Sequence, residues 1–496
     1  MRSILGDETL RKGLVSYLKK HAYGSVTIDD LFDSLTAQAQ KDGITDWTGA
    51  SLDVAKVMKP FFYQVGYPVV NLASDPISNT VTLKQSPMIN MSSYSIPSEY
   101  GYTWSIPLTC RNNNTKQLFW FPANSSSISI DLGTTWQVDN FQAQGFFRVQ
   151  YDEVTWSRIY KQLMEDPSVF DPISRASLMD DAWNLAERGT LDYARLLDMT
   201  LYMAKEDHYA AWATLDKIAN QLKPLMKSQD EYPKLLKHLA TIVGPQQQNI
   251  SWEKAGTWPA TQFSGIINRL ACENGAQNCV TQATNLFQEF DTHCQYSQAG
   301  TASCSRVAPD NRQTLYCMGL SQDASKFDLV YGFFQWFSNT TYDMIYDNMN
   351  LLYGLSCVKD KTYLDRLMTI LLDGTYNPCR LNGGNWRSGY NDCMKPLIVL
   401  NIAWNDPTGE YLEGYLSAHK KQVYDSAFDF QTYVNAMTTG WDTEEKANNL
   451  LRLSLDEGLQ ESYRQILVSA SATVRTRIKW LNTKGAQIKK WLNAHY

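Results

Sequence analysis

The pattern of apolar and polar positions changes character once along this chain. Over residues 66–152 the apolar side chains alternate with period two. Tyr102, Trp104, Ile106 and Leu108 alternate with Thr103, Ser105, Pro107 and Thr109, and Ile128, Ile130 and Leu132 alternate with Ser127, Ser129 and Asp131. That alternation predicts half-buried strands, here a small antiparallel β-sandwich. Asn112-Asn113-Asn114 has hairpin chemistry. The last strand is GFFRVQYD (145–152), with Phe147, Val149 and Tyr151 on one face and Arg148, Gln150 and Asp152 on the other. From Glu153 onward the spacing switches to three and four. The first helix after the switch has Asp171 as N-cap, Pro172 as first helical residue and Gly189 as C-terminal cap. Pro172, Ala176, Met179, Trp183 and Ala186 line one of its faces. Helical spans read at 175–188, within that helix, and then at 192–205, 208–222, 311–320, 342–353, 361–372 and 460–470, with no strict repeat period. Residues 1–65 also read as helical, with Leu10, Leu14, Tyr17 and Leu18 on one stripe. The fold class is mainly α with a small β-sandwich and an irregular α-helical solenoid, armadillo- or HEAT-like, at the C-terminal side.

The junction between the two modes carries a resemblance. Gly145, Phe146, Phe147, Arg148, Val149, Tyr151 and Asp152 match a G-[YF]-[YF]-R-V-x-Y-D strand. Arg175, Ala176, Leu178, Asp180, Asp181, Ala182, Leu185 and Ala186 match the helix N-R-A-x-L-x-D-D-A-x-x-L-A, with Ser174 in place of Asn. Both motifs are similar to those of the zinc aminopeptidases of the aminopeptidase N type, the M1 family. The likeness covers nearly the whole chain: Gln64-x-Gly66-Tyr67-Pro68-Val69 near the start, Asn311-Arg312…Tyr316-Cys317 and Leu355-Ser356-Cys357 later, and Arg475, Ile478, Trp480-Leu481, Ile488 and Trp491-Leu492 at the end. It implies three domains: 1–65 as the last helices of a thermolysin-like catalytic domain, 66–152 as the sandwich, and 153–496 as a helical domain that caps the peptide cavity. The resemblance also implies that the chain starts just downstream of the catalytic tyrosine, and that roughly 80 residues usual before the terminal helices are missing here. Both point to a longer transcript or a truncated gene model.

Enzymes of that family hold zinc with H-E-x-x-H, two histidines on one helical face with a glutamate that activates the bound water. The six histidines here are His21, His208, His238, His293, His419 and His495. No two are four apart and none precedes Glu. The expected catalytic and metal residues of this chain are therefore none, and zinc belongs only to the complete family enzyme. Asp180-Asp181 could be read as an acid–base pair. Neighbours on a helix point about a hundred degrees apart, so the expectation is a structural pair with Arg148 or Arg175.

Charge changes the picture little. A net −6 gives no sign of a nucleic-acid partner. Beyond Glu461 the chain is wholly basic, from Arg464 to Lys490. Its apolar face of Val474, Ile478, Leu481, Ile488 and Leu492 allows a membrane-surface helix or, as expected here, a core helix with a solvated basic face. No apolar run reaches the ~20 residues of a membrane span, so membrane attachment would need an anchor outside this sequence.

Cysteines change it more. Eight of nine fall between 272 and 393. Cys272 and Cys279 flank the polar loop ENGAQN, and the resemblance pairs Cys317 with Cys357, a closure that stabilises by roughly 3–4 kcal/mol. Cys294/Cys304 and Cys379/Cys393 pair by proximity, leaving Cys110. Five sequons, Asn90, Asn113, Asn124, Asn249 and Asn339, join the cysteines in suggesting an extracellular or cell-surface location. The reading is the C-terminal portion of a metallo-aminopeptidase, with a peptide as substrate of the complete enzyme and a homodimer as a further expectation. The alternative is a non-catalytic, cell-surface or secreted peptide- or protein-binding paralogue.

Overall fold

The structure is a computed structural model. It describes every residue except 76, 78–79, 90–95, 113–114, 132–136, 254–255, 295–303, 340–344, 373–394, 407 and 427. The chain divides into two compact units, Met1–Met199 and Thr200–Tyr496. This division is not the one by element type read above: the first unit takes in the N-terminal helices, all the strands and the first helices after them.

In the first unit, α1 (Arg2–Lys20), α2 (Ile28–Lys41) and α3 (Val54–Tyr63) precede the strands. Thr27 and Asp30 form a reciprocal capping box at α2. The stripe that packs α1 is the expected one only in part: Leu10 packs against the core of α1–α3. Leu5, Thr9 and Gly13 are buried, whereas Leu14 and Leu18 are 38% and 65% exposed. Gly13 explains the choice: a Cβ there would lie 2.7 Å from Leu35 Cδ2, so the helices approach closest along that line.

The strands are β1 (Pro68–Asp75), β2 (Thr80–Pro87), β3 (Ile106–Asn112), β4 (Thr115–Phe121), β5 (Ile128–Asp131), β6 (Gln137–Asp139) and β7 (Arg148–Gln150). They form a four-stranded sheet, β5-β2-β1-β7, and a three-stranded sheet, β4-β3-β6. The pairing is not wholly antiparallel, as the alternation had suggested. β7 lies parallel to β1, with Val70 opposite Val149; the long stretch between them permits a crossover. The alternation at 102–109 is also not a one-sided strand. β3 starts only at Ile106, and Trp104 through Thr109 are all buried. Trp104 Nε1 donates to Pro60 O at 3.1 Å, so a polar anchor fixes this turn before the strand begins. Leu132 lies outside the described residues.

After β7 come α4 (Glu153–Glu165), α5 (Pro172–Arg188) and α6 (Tyr193–Thr200). Asp171 accepts from the amides of Ile173 and Ser174, and Gly189 closes α5 at φ +81°. The helix buries more than the predicted face: Ser174, Arg175, Leu178, Asp181 and Leu185 are enclosed as well.

The second unit is helical. It comprises α7 (Tyr209–Met226), α8 (Tyr232–Gln247), α9 (Trp258–Glu273), α10 (Gln277–His293), α11 (Pro309–Gln322), α12 (Phe327–Asn339) and α13 (Ile345–Leu355). It continues with α14 (Lys361–Leu372), α15 (Lys395–Asn405), α16 (Tyr411–Ala418), α17 (Lys420–Asp425), α18 (Phe430–Met437), α19 (Glu444–Leu453), α20 (Glu461–Trp480) and α21 (Ala486–His495). Near neighbours in sequence pack together, α9 on α10 and α11 on α13, as in a stack. The last helix instead returns to α8. There His238 is buried, with Nε2 2.7 Å from Thr200 Oγ1 and Nδ1 3.0 Å from Tyr496 Oη. The apolar face of the basic terminal segment is spent in this core: Val474, Leu481, Ile488 and Leu492 are buried. That leaves no apolar stripe for a membrane surface. Among the described residues no helix is long and apolar enough to cross a membrane.

Candidate functional site

The Asp180-Asp181 pair is structural, and it converges where helix geometry suggested it would not. Arg148 Nη1 reaches Asp180 Oδ2 at 2.6 Å and Asp181 Oδ1 at 2.7 Å. The end of β7 lies against α5, so one guanidinium sits astride the helix and meets both side chains from between them. Arg148 Nε also donates to Tyr67 Oη at 2.9 Å, and the Val149 amide donates to Asp181 Oδ2 at 3.1 Å. Burial pushes the Asp181 carboxyl up to about 7, against the pull of Arg148. Both oxygens of Asp181 and one of Asp180 are thus engaged in joining β7 to α5. Arg175 is spent elsewhere, donating to Phe170 O at 2.8 Å.

The second unit holds a better candidate, a cavity of about 320 Å3. Lys223, Lys227 and Lys359 border it, against a single carboxylate, Glu273. Glu273 is already neutralised: Lys223 Nζ lies 3.3 Å away, Arg269 Nη1 3.6 Å away, and Tyr353 Oη 3.5 Å away. Burial acts to raise the Glu273 pKa, but Lys223 and Arg269 outweigh it and hold the carboxyl below its usual range. Arg269 is itself shared with Asp216 at 2.6 Å. Lys227 has no carboxylate within ion-pair distance among the described residues. Its ammonium donates to the carbonyls of Ala403 and Trp404 at the end of α15, a helix-terminal contact that suits a cation. Burial pushes its pKa down to about 8, with Asp406 opposing. Lys359 stands exposed at the rim.

Two amide oxygens on this wall, Asn220 Oδ1 and Asn274 Oδ1, are buried and meet no partner among the described residues. Asn274 is oriented by its own Nδ2, which donates to Leu270 O at 2.7 Å. The cavity thus offers surplus positive charge, while the two amide oxygens are closed off from solvent. It suits an occupant that carries a carboxylate.

Disulfides frame the same cavity. Cys272 is bonded to Cys279, and Cys317 to Cys357, with Cα–Cα distances of 5.1 Å in each. Cys294 is bonded to Cys304. Three disulfides fit an extracellular location. Cys379 and Cys393 lie outside the described residues. So do the sequons Asn90 and Asn113, while Asn339 is described only as part of α12. Asn124 and Asn249 are exposed.

The complete aminopeptidase implied by the resemblance would carry zinc. Among the described residues no three His, Cys, Asp or Glu side chains come together as a metal-binding group. His238 is held by Thr200 and Tyr496 and kept neutral by burial, which pushes its pKa down to about 4. No zinc chemistry is assigned to the described residues.

Of the cavity residues only Cys272, Cys317 and Cys357 were singled out from sequence, as disulfide partners. The lysines and asparagines come from helices and helix ends spread between Asn220 and Asn405, and no local spacing links them.

Comparison with known proteins follows the geometry. The family model for the ERAP1-like C-terminal domain matches residues 136–476. The chain is 26% identical over its whole length to a putative aminopeptidase-2 of Caenorhabditis elegans, of which it covers 25%. It is 23% identical to human aminopeptidase N, with 99% of this chain and 49% of that protein aligned. Porcine glutamyl aminopeptidase is 27% identical over 74% of the chain and 37% of its own length. The chain therefore spans half or less of these relatives.

Proposed function

The chain belongs to the ERAP1-like C-terminal domain family, and from that membership we propose that it serves as the C-terminal portion of a zinc aminopeptidase of the aminopeptidase N type. In this reading residues 1–65 end the catalytic domain, and zinc and the peptide-cleaving residues belong to a part of the protein beyond this sequence. The helical unit closes the peptide cavity, and the protein works in an extracellular or cell-surface setting. The observation that supports a peptide role for this chain's own residues is the lysine-bordered cavity. An acidic peptide supplies the complement, carboxylates for Lys227 and Lys359. The chain does not cleave; it orients and holds.

The test is binding by the 496-residue chain. Fluorescein-labelled acidic peptides are expected to bind with affinity that falls as salt rises. The double variant Lys227→Ala/Lys359→Ala should weaken that binding by about tenfold or more, the loss of ~1.4 kcal/mol or more. Undiminished binding by the double variant would remove the cavity from the argument. The alternative, a non-catalytic peptide- or protein-binding paralogue, shares the binding result. Sequencing of the full-length transcript separates the two: an upstream H-E-x-x-H, a later Glu ligand and a Tyr support the first reading.

A further inference from the structure

The Cys317–Cys357 bridge is placed as more than a staple. It borders the lysine-lined cavity, and its two sulfurs stand in unequal surroundings. Asn401 Nδ2 lies 3.3 Å and Asn405 Nδ2 3.5 Å from Cys357 Sγ. Both amides border the cavity too. Among the described residues no such donor reaches Cys317 Sγ, and the Tyr353 carbonyl oxygen lies 3.6 Å from Cys357 Sγ, farther than either amide. N–H donors stabilise negative charge on sulfur, which makes Cys357 the better leaving group and directs a nucleophile to Cys317. The surplus of lysine charge raises the local concentration of anions, thiolates included. Exposed Lys359 and the 39%-exposed Trp404 stand at the rim, whereas Cys317 and Cys357 are only 4% and 1% exposed, so a thiol reaches the bridge through the cavity alone.

We propose that the Cys317–Cys357 bridge is a site of thiol exchange, taking a small anionic thiol at Cys317 from the cavity. In the first step the thiolate attacks Cys317 Sγ. A bond forms between the two sulfurs, the Cys317–Cys357 bond breaks, and its electron pair leaves on Cys357 as a thiolate beside Asn401 and Asn405. A second thiolate then attacks the added sulfur, freeing the Cys317 thiolate. The small thiol leaves oxidised as its symmetric disulfide, and the bridge is reduced by two electrons. α11 and α13 remain packed through Leu315, Leu351 and Leu355, all fully buried, so the exchange opens the cavity wall without dissolving the unit.

The experiment compares mercaptoacetate with cysteamine, an anionic and a cationic thiol, on the folded 496-residue chain. Reactions are quenched by alkylation and mapped by peptide mass spectrometry. Cys294–Cys304, away from the cavity, is the internal reference. The expected result is a first adduct on Cys317 with alkylated Cys357. Relative to the reference bridge, mercaptoacetate should be favoured over cysteamine by about fivefold or more. Lys359→Gln should reduce that preference. Asn405→Leu should slow opening by about threefold or more while the reference rate holds. A first adduct on Cys357, equal rates for the two thiols, or opening of all three described bridges together through global unfolding would each overturn the proposal.

Discussion

Replacing Arg148 by Met removes the one countercharge that a buried carboxylate has among the described residues. The variant loses the 2.6 and 2.7 Å contacts to Asp180 and Asp181 and the 2.9 Å bond to Tyr67. Asp181 is only 5% exposed and cannot turn to water. Breaking a buried pair from one side costs about 3–5 kcal/mol, a large share of the stability of a typical domain. The pH dependence carries the sharper test. In the parent protein the Asp181 carboxyl sits at about 7, above its ordinary 3.8, because of burial. Folding therefore takes up a proton between those values, and stability falls as pH rises through that window. Without Arg148 the folded pKa rises further, so the fall continues above pH 7. The destabilisation by Arg148→Met should be greater at pH 9 than at pH 6 by about 2 kcal/mol. Urea unfolding at the two pH values, read by hydrogen exchange of peptides spanning 145–188, measures it. Adding Asp181→Asn should flatten the difference. An equal cost at both pH values, or a pH dependence that survives Asp181→Asn, would refute the reasoning.

Three further outcomes are expected. Cys317→Ser/Cys357→Ser opens a 40-residue closure and should cost about 4 kcal/mol in a denaturant series. His238 is neutral and buried with its pKa near 4; its contribution is lost as pH falls from about 6.5 through 4, so His238→Gln should spare the second unit about 3 kcal/mol of acid destabilisation. Asp171→Ala uncaps α5 and should lower stability by about 1 kcal/mol at every neutral pH, seen as faster amide exchange at Ile173 and Ser174.

What the sequence disclosed was local. Asp171, Pro172 and Gly189 announce α5 because caps act within one turn, and the structure places the helix at Pro172–Arg188. The shift from period two to period three and four marks the end of the strands for the same reason. What it concealed was assembled from afar. The stripe of α1 was partly misplaced because Gly13, which carries no apolar signal, sets the closest approach to Leu35. The parallel pairing of β1 with β7 leaves no trace in alternation. Asp180 and Asp181, on one helix, meet at Arg148 because a second element, β7, approaches between them, which helix geometry alone does not encode. The cavity lysines are invisible for a related reason: charge on a helix surface reads as solvated until other helices are laid beside it.

The return of α21 to α8 sets a timetable for synthesis. Asn493 bonds Lys234 and Glu231 across separations of 259 and 262 residues. A ribosome adding about 5–20 residues per second needs roughly 10–50 s to make the chain between those partners. Throughout that interval α8 is complete but lacks the ring of Trp491 and the hydroxyl of Tyr496 that cover His238. The first unit can finish while the second waits with an apolar seam open. Any bound helper or glycan that shields α8 during those seconds acts on yield, and leaves the finished molecule's stability untouched.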